Sequence, residues 1–405
     1  MTAKLGEIEA TSGARQIAAY LKNAQASGKK IVPFSAERLK RWRQSAEANV
    51  VLLNLEHHEQ VLEHPVEDQV VLVETGINLT ALDHYLKQTG QWLPLSLRST
   101  SLPLLETIIT GDGGALSHSF GGPRRLVLGL TLALSDGSLV RTGGRVVKNV
   151  TGYDLTRAII GSYGMLALPV TAYLRLYARP ERFLSVIVAG SDPLRLLAYG
   201  RSMERLGLPI VAMEIIDERL LGQGIFSKVK DAQTFLLLVR LAGAGALVEA
   251  AGPMLNDVCA GDGPEIEQIG EPEGEESLWS YLTELCQMSD DYPLEFAVTG
   301  RVFANLWQEE KDLFAHPFTY GPASGGCKIF LPGLSEQDAA IAKLSAYAQK
   351  AAQSLTIAFG DGNYIRCVRR LGPGSSQESK LLSRLKEQFD PANCLNPFVR
   401  FEANQ

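Results

Sequence analysis

Glycine dominates the most informative stretch of this sequence, Gly111 to Leu166. It stands singly or in pairs at Gly111, Gly113, Gly114, Gly121, Gly122, Gly129, Gly137, Gly143, Gly144, Gly152, Gly161 and Gly164. Such density costs backbone entropy and needs a cause: positive φ, or a main chain lying against something flat and bulky. A large cofactor threaded between backbone turns is one cause, because main-chain N–H groups there form concavities suited to a pyrophosphate. A turn-rich β-domain whose glycines only make hairpins is the other. No Ser-His-Asp, paired-carboxylate or metal-ligand spacing points to hydrolysis, so the sequence assigns no catalytic residue and no metal. His57, His58 and His64 lack the spacing of a helical ligand pair and read as a solvated loop near a strand end. Gly243-Ala244-Gly245 is a lone GxG without the third glycine of a dinucleotide fingerprint, and reads as a strand-to-helix turn. Gly263 to Glu276, acidic with interspersed Gly and Pro, reads as a solvated loop.

The elements that must position the glycines follow from periodicity. Gly13 to Ala26 and Leu79 to Thr89 carry apolar residues at helical spacing, closed by Ser27-Gly28 and Gly90. Lys30 to Phe34, Val50 to Leu55 and Val70 to Glu74 read as strands. Within the glycine-rich region, Leu126 to Leu134 is a strand, Asp136-Gly137 a hairpin turn, and Ser138 to Arg141 the returning strand. Asp154 to Ile160 reads as a short helix and Pro169 to Leu176 as a strand; Arg179-Pro180 then breaks the pattern and marks a boundary. From Phe183 onward strands and helices alternate, including strands at Ile210 to Ile216, Thr234 to Leu241, Glu295 to Val302 and Cys327 to Leu331.

Composition bounds the class. The chain has 405 residues, 45% hydrophobic and 21% charged, so two or three soluble domains are expected. A net charge of -6 argues against nucleic acid or an anionic membrane as a partner. No apolar run reaches the roughly 18 residues of a membrane span. The N-terminus lacks the basic-then-apolar order of a secretory signal, so a cytoplasmic location is expected. Cys259, Cys286, Cys327, Cys367 and Cys394 are far apart and form no CxxC pair, which fits reduced, buried thiols rather than a local iron–sulfur cluster.

One constellation is specific. Lys148-Asn149-Val150-Thr151-Gly152-Tyr153-Asp154-Leu155, followed by Gly161-Ser162-Tyr163-Gly164-Met165-Leu166, resembles the KNVxGYDL…GSxGTLG signature of flavin-linked oxidases that include glycolate and D-lactate dehydrogenases. Gly121-Gly122-Pro123-Arg124-Arg125, Val127-Leu128-Gly129 and Gly143-Gly144-Arg145-Val146-Val147 narrow the resemblance to glycolate dehydrogenase E subunits (GlcE). Phe389-Asp390-Pro391-Ala392-Asn393-Cys394-Leu395-Asn396-Pro397 is similar to the FDPxxxLNP tail of the same enzymes.

The resemblance implies an α+β fold: a PCMH-type FAD-binding domain over residues 1–180, a ferredoxin-like α+β cap over 181–375, and a tail, 376–405, returning to the FAD domain. It implies non-covalent FAD approached by Gly113, Gly114, Gly121, Gly122, Lys148, Asn149, Gly152, Tyr153, Gly161, Ser162 and Gly164. It also implies oxidation of a 2-hydroxy acid to a 2-oxo acid, a paralogous flavoprotein partner, and an iron–sulfur partner to carry electrons onward. The sequence departs from the family where a glycine run forms the first phosphate loop. Here Val32-Pro33-Phe34-Ser35-Ala36-Glu37-Arg38-Leu39 has no glycine, and Pro33 has no N–H to donate. The departure weakens the expected grip on FAD. It leaves two alternatives open: a non-catalytic subunit of the same fold that stabilises a catalytic paralogue, and a stand-alone D-lactate or alcohol oxidase. His118, inside a cofactor loop, reads as structural. Arg301, Arg366 and Arg369 are candidates for a substrate carboxylate, against an ordinary role as surface charges.

Overall fold

The computed structural model describes residues 6–7, 13–33, 49–55, 57–95, 102–145, 154–221, 234–259, 266–288, 292–360, 366–372, 375–397 and 399–402. Lys148, Asn149, Gly152 and Tyr153, and the segment after Pro33, lie outside the described residues.

Four sheets organise the described residues, the smallest being the antiparallel pair of Gln91–Trp92 with Tyr177–Ala178. A three-stranded sheet is parallel and runs in the order Gly6–Glu7, Val50–Leu52, Lys30–Val32. The helix Ala14–Ala26 buries Ile17, Ala18, Leu21 and Ala24, the apolar stripe its spacing requires. A five-stranded antiparallel sheet holds Val61–Glu63, Val70–Glu74, Leu168–Arg175, Val127–Ala133 and Leu139–Gly143, in that order. Its hairpin turns at Asp136-Gly137, where Gly137 takes φ 83° and Asp136 accepts from the Ser138 N–H at 2.8 Å. That bond and the Ser138 hydroxyl hold the Asp136 carboxyl below its ordinary pKa.

The largest sheet has ten strands and begins at Arg182–Gly190. The strand Phe235–Gly243 shows how it is buried on both sides. Phe235, Leu237, Val239 and Leu241 face one core, with the helices Pro193–Arg205, Gly245–Cys259, Gly300–Glu309 and Leu334–Lys350. Leu236, Leu238 and Ala242 face the other, with Trp92, Leu116 and Trp279. The period-two alternation thus splits an apolar run between two cores, as a doubly covered strand demands. Arg240 is the polar break on the second face. It makes two hydrogen bonds of 2.7 Å to Glu275 and lies 4.5 Å from the Phe183 ring centroid.

Glu275 corrects the reading of Gly263 to Glu276 as a solvated loop. Ile266–Ile269 adds an edge strand to the large sheet, and the helix Pro272–Met288 starts inside the supposed loop. Glu275 is buried, bonded to Arg240 and to the Ser185 hydroxyl. The partners that make its burial possible lie 35 and 90 residues away. Glu295 to Val302 is also corrected: the strand is Tyr292–Ala297, and Thr299 caps a helix by accepting from Val302.

Candidate functional site

A cavity of about 440 Å³ lies where the glycine-rich loops meet the inner face of the ten-stranded sheet. Gly111 to Ala115 and Gly121 to Arg124 form one wall. Glu214, Ile216, Thr319 and Lys328 form the opposite wall, with Trp279 and Thr283 of the Pro272–Met288 helix at the side.

The glycine wall is built by close packing of two turns. A Cβ on Gly113 would sit 2.6 Å from the Gly122 Cα and 2.5 Å from the Ser117 Oγ. The contact with Gly122 is backbone on backbone, so no rotamer relieves it. Asp112 shapes the first turn: its Oδ1 accepts from the Gly114 N–H at 2.9 Å, an Asx turn. The four-residue helix Ser117–Phe120 ties this wall to the cap, because the Ser119 hydroxyl donates to the Ile210 carbonyl at 2.6 Å. His118 stands beside it, 3.5 Å from Glu204, and does not line the cavity. Burial pushes its pKa down, while Glu204 opposes the shift.

The opposite wall follows from strand register. Ile216 pairs with Thr319, and Thr319 with Lys328, so these three side chains form a row on one face. Glu214 stands two residues before Ile216 and shares that face. Beside it lies Gly321: a Cβ there would come within 3.0 Å of the Glu214 Oε1. The missing side chain is what leaves room for the carboxyl. Lys328 Nζ lies 3.5 Å from Asp112 Oδ2, spanning from cap to glycine loop. Burial pushes the Glu214 carboxyl up to about 8, with Lys328 opposing and Asp112 reinforcing the shift.

The other expected cofactor residues sit behind the first wall. Gly161, Ser162 and Gly164 do not line the cavity. The Gly161 N–H donates to Ile108 and the Tyr163 N–H to Ile109, docking this loop on the helix Leu104–Thr110. Gly164 gives Pro33 room, since a Cβ there would lie 2.9 Å from the proline ring. The C-terminal segment locks the arrangement. Lys386 Nζ donates to the carbonyls of Met165 (2.8 Å) and Leu395 (2.6 Å) and to Asp390, while Asn396 donates to the Tyr163 carbonyl. Of the candidate arginines, Arg301 is exposed on a helix packed against the far face of the large sheet. The side chains of Arg366 and Arg369 lie outside the described residues.

The histidine loop is solvated at His57, Glu59 and Gln60, as the sequence suggested, but not at His58. His58 is fully buried, its Nδ1 2.8 Å from Glu74 and its Nε2 2.6 Å from the Val170 carbonyl. His64 lies 2.6 Å from Gln91. Gly76 explains how the loop folds inward: a Cβ there would lie 2.0 Å from the Leu55 carbonyl. Among the described residues no group of His, Cys, Asp and Glu could hold a metal.

The glycine wall suits a bulky anionic cofactor. Among the described residues nothing accepts from the N–H groups of Gly113, Ala115 or Gly122, which leaves main-chain donors along it. Behind it the buried Ser162 Oγ has no partner among the described residues. Residues 10–143 match the family model of the FAD binding domain. The cofactor is FAD. Gly113, Gly114, Gly121 and Gly122 are the described residues whose main chain would hold it.

Two relatives and one solved structure extend the comparison. Over 231 residues the chain is 31% identical to an uncharacterized FAD-linked oxidoreductase of Mycobacterium tuberculosis, covering 54% of this chain and 50% of that protein. The chain thus spans about half the length of that relative. Over 389 residues it is 26% identical to glycolate oxidase subunit GlcD of Bacillus subtilis, covering 88% of this chain and 80% of that one. Alkyldihydroxyacetonephosphate synthase superposes with a TM-score of 0.69 at 12% identity, covering 97% of this chain and 77% of that chain. The fold is therefore α+β, a PCMH-type FAD-binding domain with an α+β cap. No helix among the described residues is long and apolar enough to cross a membrane.

Glu214, Lys328 and Trp279 escaped the sequence reading. Their signal was present: Glu214 is the acid inside the apolar strand Ile210–Asp217, and Lys328 the cation inside Gly326–Leu331. A charge within a buried strand signals either a partner or a site.

Proposed function

We propose that this protein is an FAD-dependent 2-hydroxy acid dehydrogenase, acting as the FAD-binding subunit of a glycolate-oxidase-like assembly. The observation that carries the reading is the cavity itself. One wall is main chain suited to a flavin cofactor, and the other presents a cation and a carboxyl to a small polar substrate. Similarity to GlcD over most of the chain supports the substrate class. The E-type assignment rests on the Gly121 to Arg125 and Gly143 to Asn149 motifs. FAD, when bound, supplies the hydride acceptor at its N5 position. The C2 hydrogen of the substrate would leave with its electron pair to that acceptor, the hydroxyl proton would pass to solvent, and a 2-oxo acid would remain. The chain's residues orient the acid, and the Ser119 and Lys328 bridges hold cap and loop together around it.

A paralogous flavoprotein and an iron–sulfur protein are the proposed partners; the wide spacing of the five cysteines, with no CxxC pair, supports an electron carrier on another chain. A second reading, a non-catalytic subunit of this fold, is favoured by one observation: no His or Tyr is among the described residues that line the cavity. Anaerobic addition of glycolate or D-lactate to the FAD-loaded protein separates the two. Bleaching of the flavin bands is expected. A spectrum unchanged by either acid, with FAD still bound, would leave the non-catalytic subunit.

A further inference from the structure

The cap wall of the cavity holds a charge arrangement that flavin binding alone does not explain. One strand separates Glu214 from Lys328 in the sheet: Ile210–Asp217 pairs with Phe318–Tyr320, which pairs with Gly326–Leu331. The side chains project from one face toward the same void, across a gap kept open by Gly321. Lys328 already leans on Asp112 at 3.5 Å, whereas the Glu214 carboxyl makes no hydrogen bond to any described residue. An acid left without a bonded partner in a cavity wall is costly unless it stays neutral or meets a ligand. We infer that Glu214 and Lys328 together form the carboxylate-binding end of the cavity, and so select monoanionic 2-hydroxy acids over their neutral analogues. The inference rests on the function proposed above.

The chemistry is that of an acid–cation clamp. Glu214, held neutral, has an O–H to donate to one carboxylate oxygen, and Lys328 supplies charge to the other. A neutral acid beside the cation matters because Asp112 already cancels much of the Lys328 charge. An ionised Glu214 would cancel the charge that Lys328 keeps on the cap wall and repel the substrate carboxylate there; the other lining cation, Arg124, lies on the glycine wall and donates to the Ile160 carbonyl. The groups acting on Glu214 are Lys328, which favours its charged form, and Asp112, which opposes it. Tyr320 and Cys327, on the two partner strands, belong to the helix-covered core, and burial holds both neutral. Since Glu214 releases its proton near pH 8, the clamp opens above that pH.

The test is isothermal titration calorimetry of the FAD-loaded full chain with 2-hydroxyisobutyrate, which has the hydroxyl and carboxylate but no C2 hydrogen to lose. Binding is expected to hold steady from pH 6 to about 8 and then weaken about tenfold per pH unit. Glu214→Gln, which keeps a neutral donor, is expected to bind like the parent at pH 7 and to lose the decline above pH 8. Lys328→Met is expected to weaken binding at least tenfold across the range, and the neutral 2-hydroxyisobutyramide to bind the parent at least tenfold more weakly than the acid. Circular dichroism establishes that each variant is folded. Binding unchanged in Lys328→Met, or a decline above pH 8 that persists in Glu214→Gln, would overturn the clamp. Flavin that glycolate and D-lactate leave oxidised, together with an intact pH profile of binding, would overturn the proposed reaction and leave the clamp standing.

Discussion

The two walls of the cavity are made by opposite means. The glycine wall works by subtraction: Gly113 and Gly122 bring two backbone turns into contact and leave main-chain donors along the surface. The cap wall works by addition, placing Glu214 and Lys328 on strands that are otherwise apolar. The first kind of wall is tolerant of what it binds as long as the ligand is large and anionic, because backbone amides are shared by every residue type. The second discriminates, because each charged side chain sets one condition on the ligand. On the proposed reading, cofactor binding and substrate choice lie on different parts of the chain, and substitutions separate them.

The largest expected effect lies under the cap wall. Glu275→Ala would leave Arg240 buried without its partner beside Phe183 and Trp279. Removing one member of a buried pair costs about 3–5 kcal/mol. Thermal unfolding should show a lower midpoint, and substrate binding should suffer through Trp279 while the glycine wall is untouched. An unchanged midpoint would show that the pair contributes nothing to the cap.

Glu214 gives the next effect and the opposite sign. Its ordinary value is 4.5 and its folded value about 8, so between these pH values the folded chain keeps a proton that the unfolded chain has released. Stability therefore falls as pH rises through this window, by at most about 1.4 kcal/mol per unit and about 3 kcal/mol by pH 7. Glu214→Gln removes the ionisation and should be more stable than the parent at pH 7, with the gap shrinking toward pH 4. Denaturant unfolding at both pH values measures it; a gap independent of pH would contradict the assignment.

On the glycine wall the expected effect is smaller in stability and larger in cofactor affinity. Gly113→Ala forces the two turns apart, an overpacking cost of about 1–3 kcal/mol. FAD affinity, followed by quenching of flavin fluorescence, should fall by more than the thermal midpoint suggests, and the pH profile of acid binding should keep its shape where FAD is saturating.

The contrast between the walls also explains what the sequence disclosed. Glycines at Gly111 to Gly122 announce themselves by density, and Asp136-Gly137 by its turn chemistry, because both are local. Elements with a strong period, such as Ala14–Ala26 and Leu168–Arg175, were equally legible. The cap wall was not. Glu214 and Lys328 come together through a strand register that no local pattern encodes, and Glu275 owes its burial to Arg240 and Ser185, far away in the chain. His58 misled for the same reason, since Glu74 and the Val170 carbonyl are what convert a loop histidine into a buried one.

The central claim is that the glycine wall holds FAD opposite the cap. Its most direct test is the visible spectrum of the full chain mixed with FAD and passed through gel filtration. Flavin bands at one FAD per chain, lost in Gly113→Val and kept in Lys328→Met, are the expected result. A colourless parent protein, or flavin retained equally by Gly113→Val, would contradict the account.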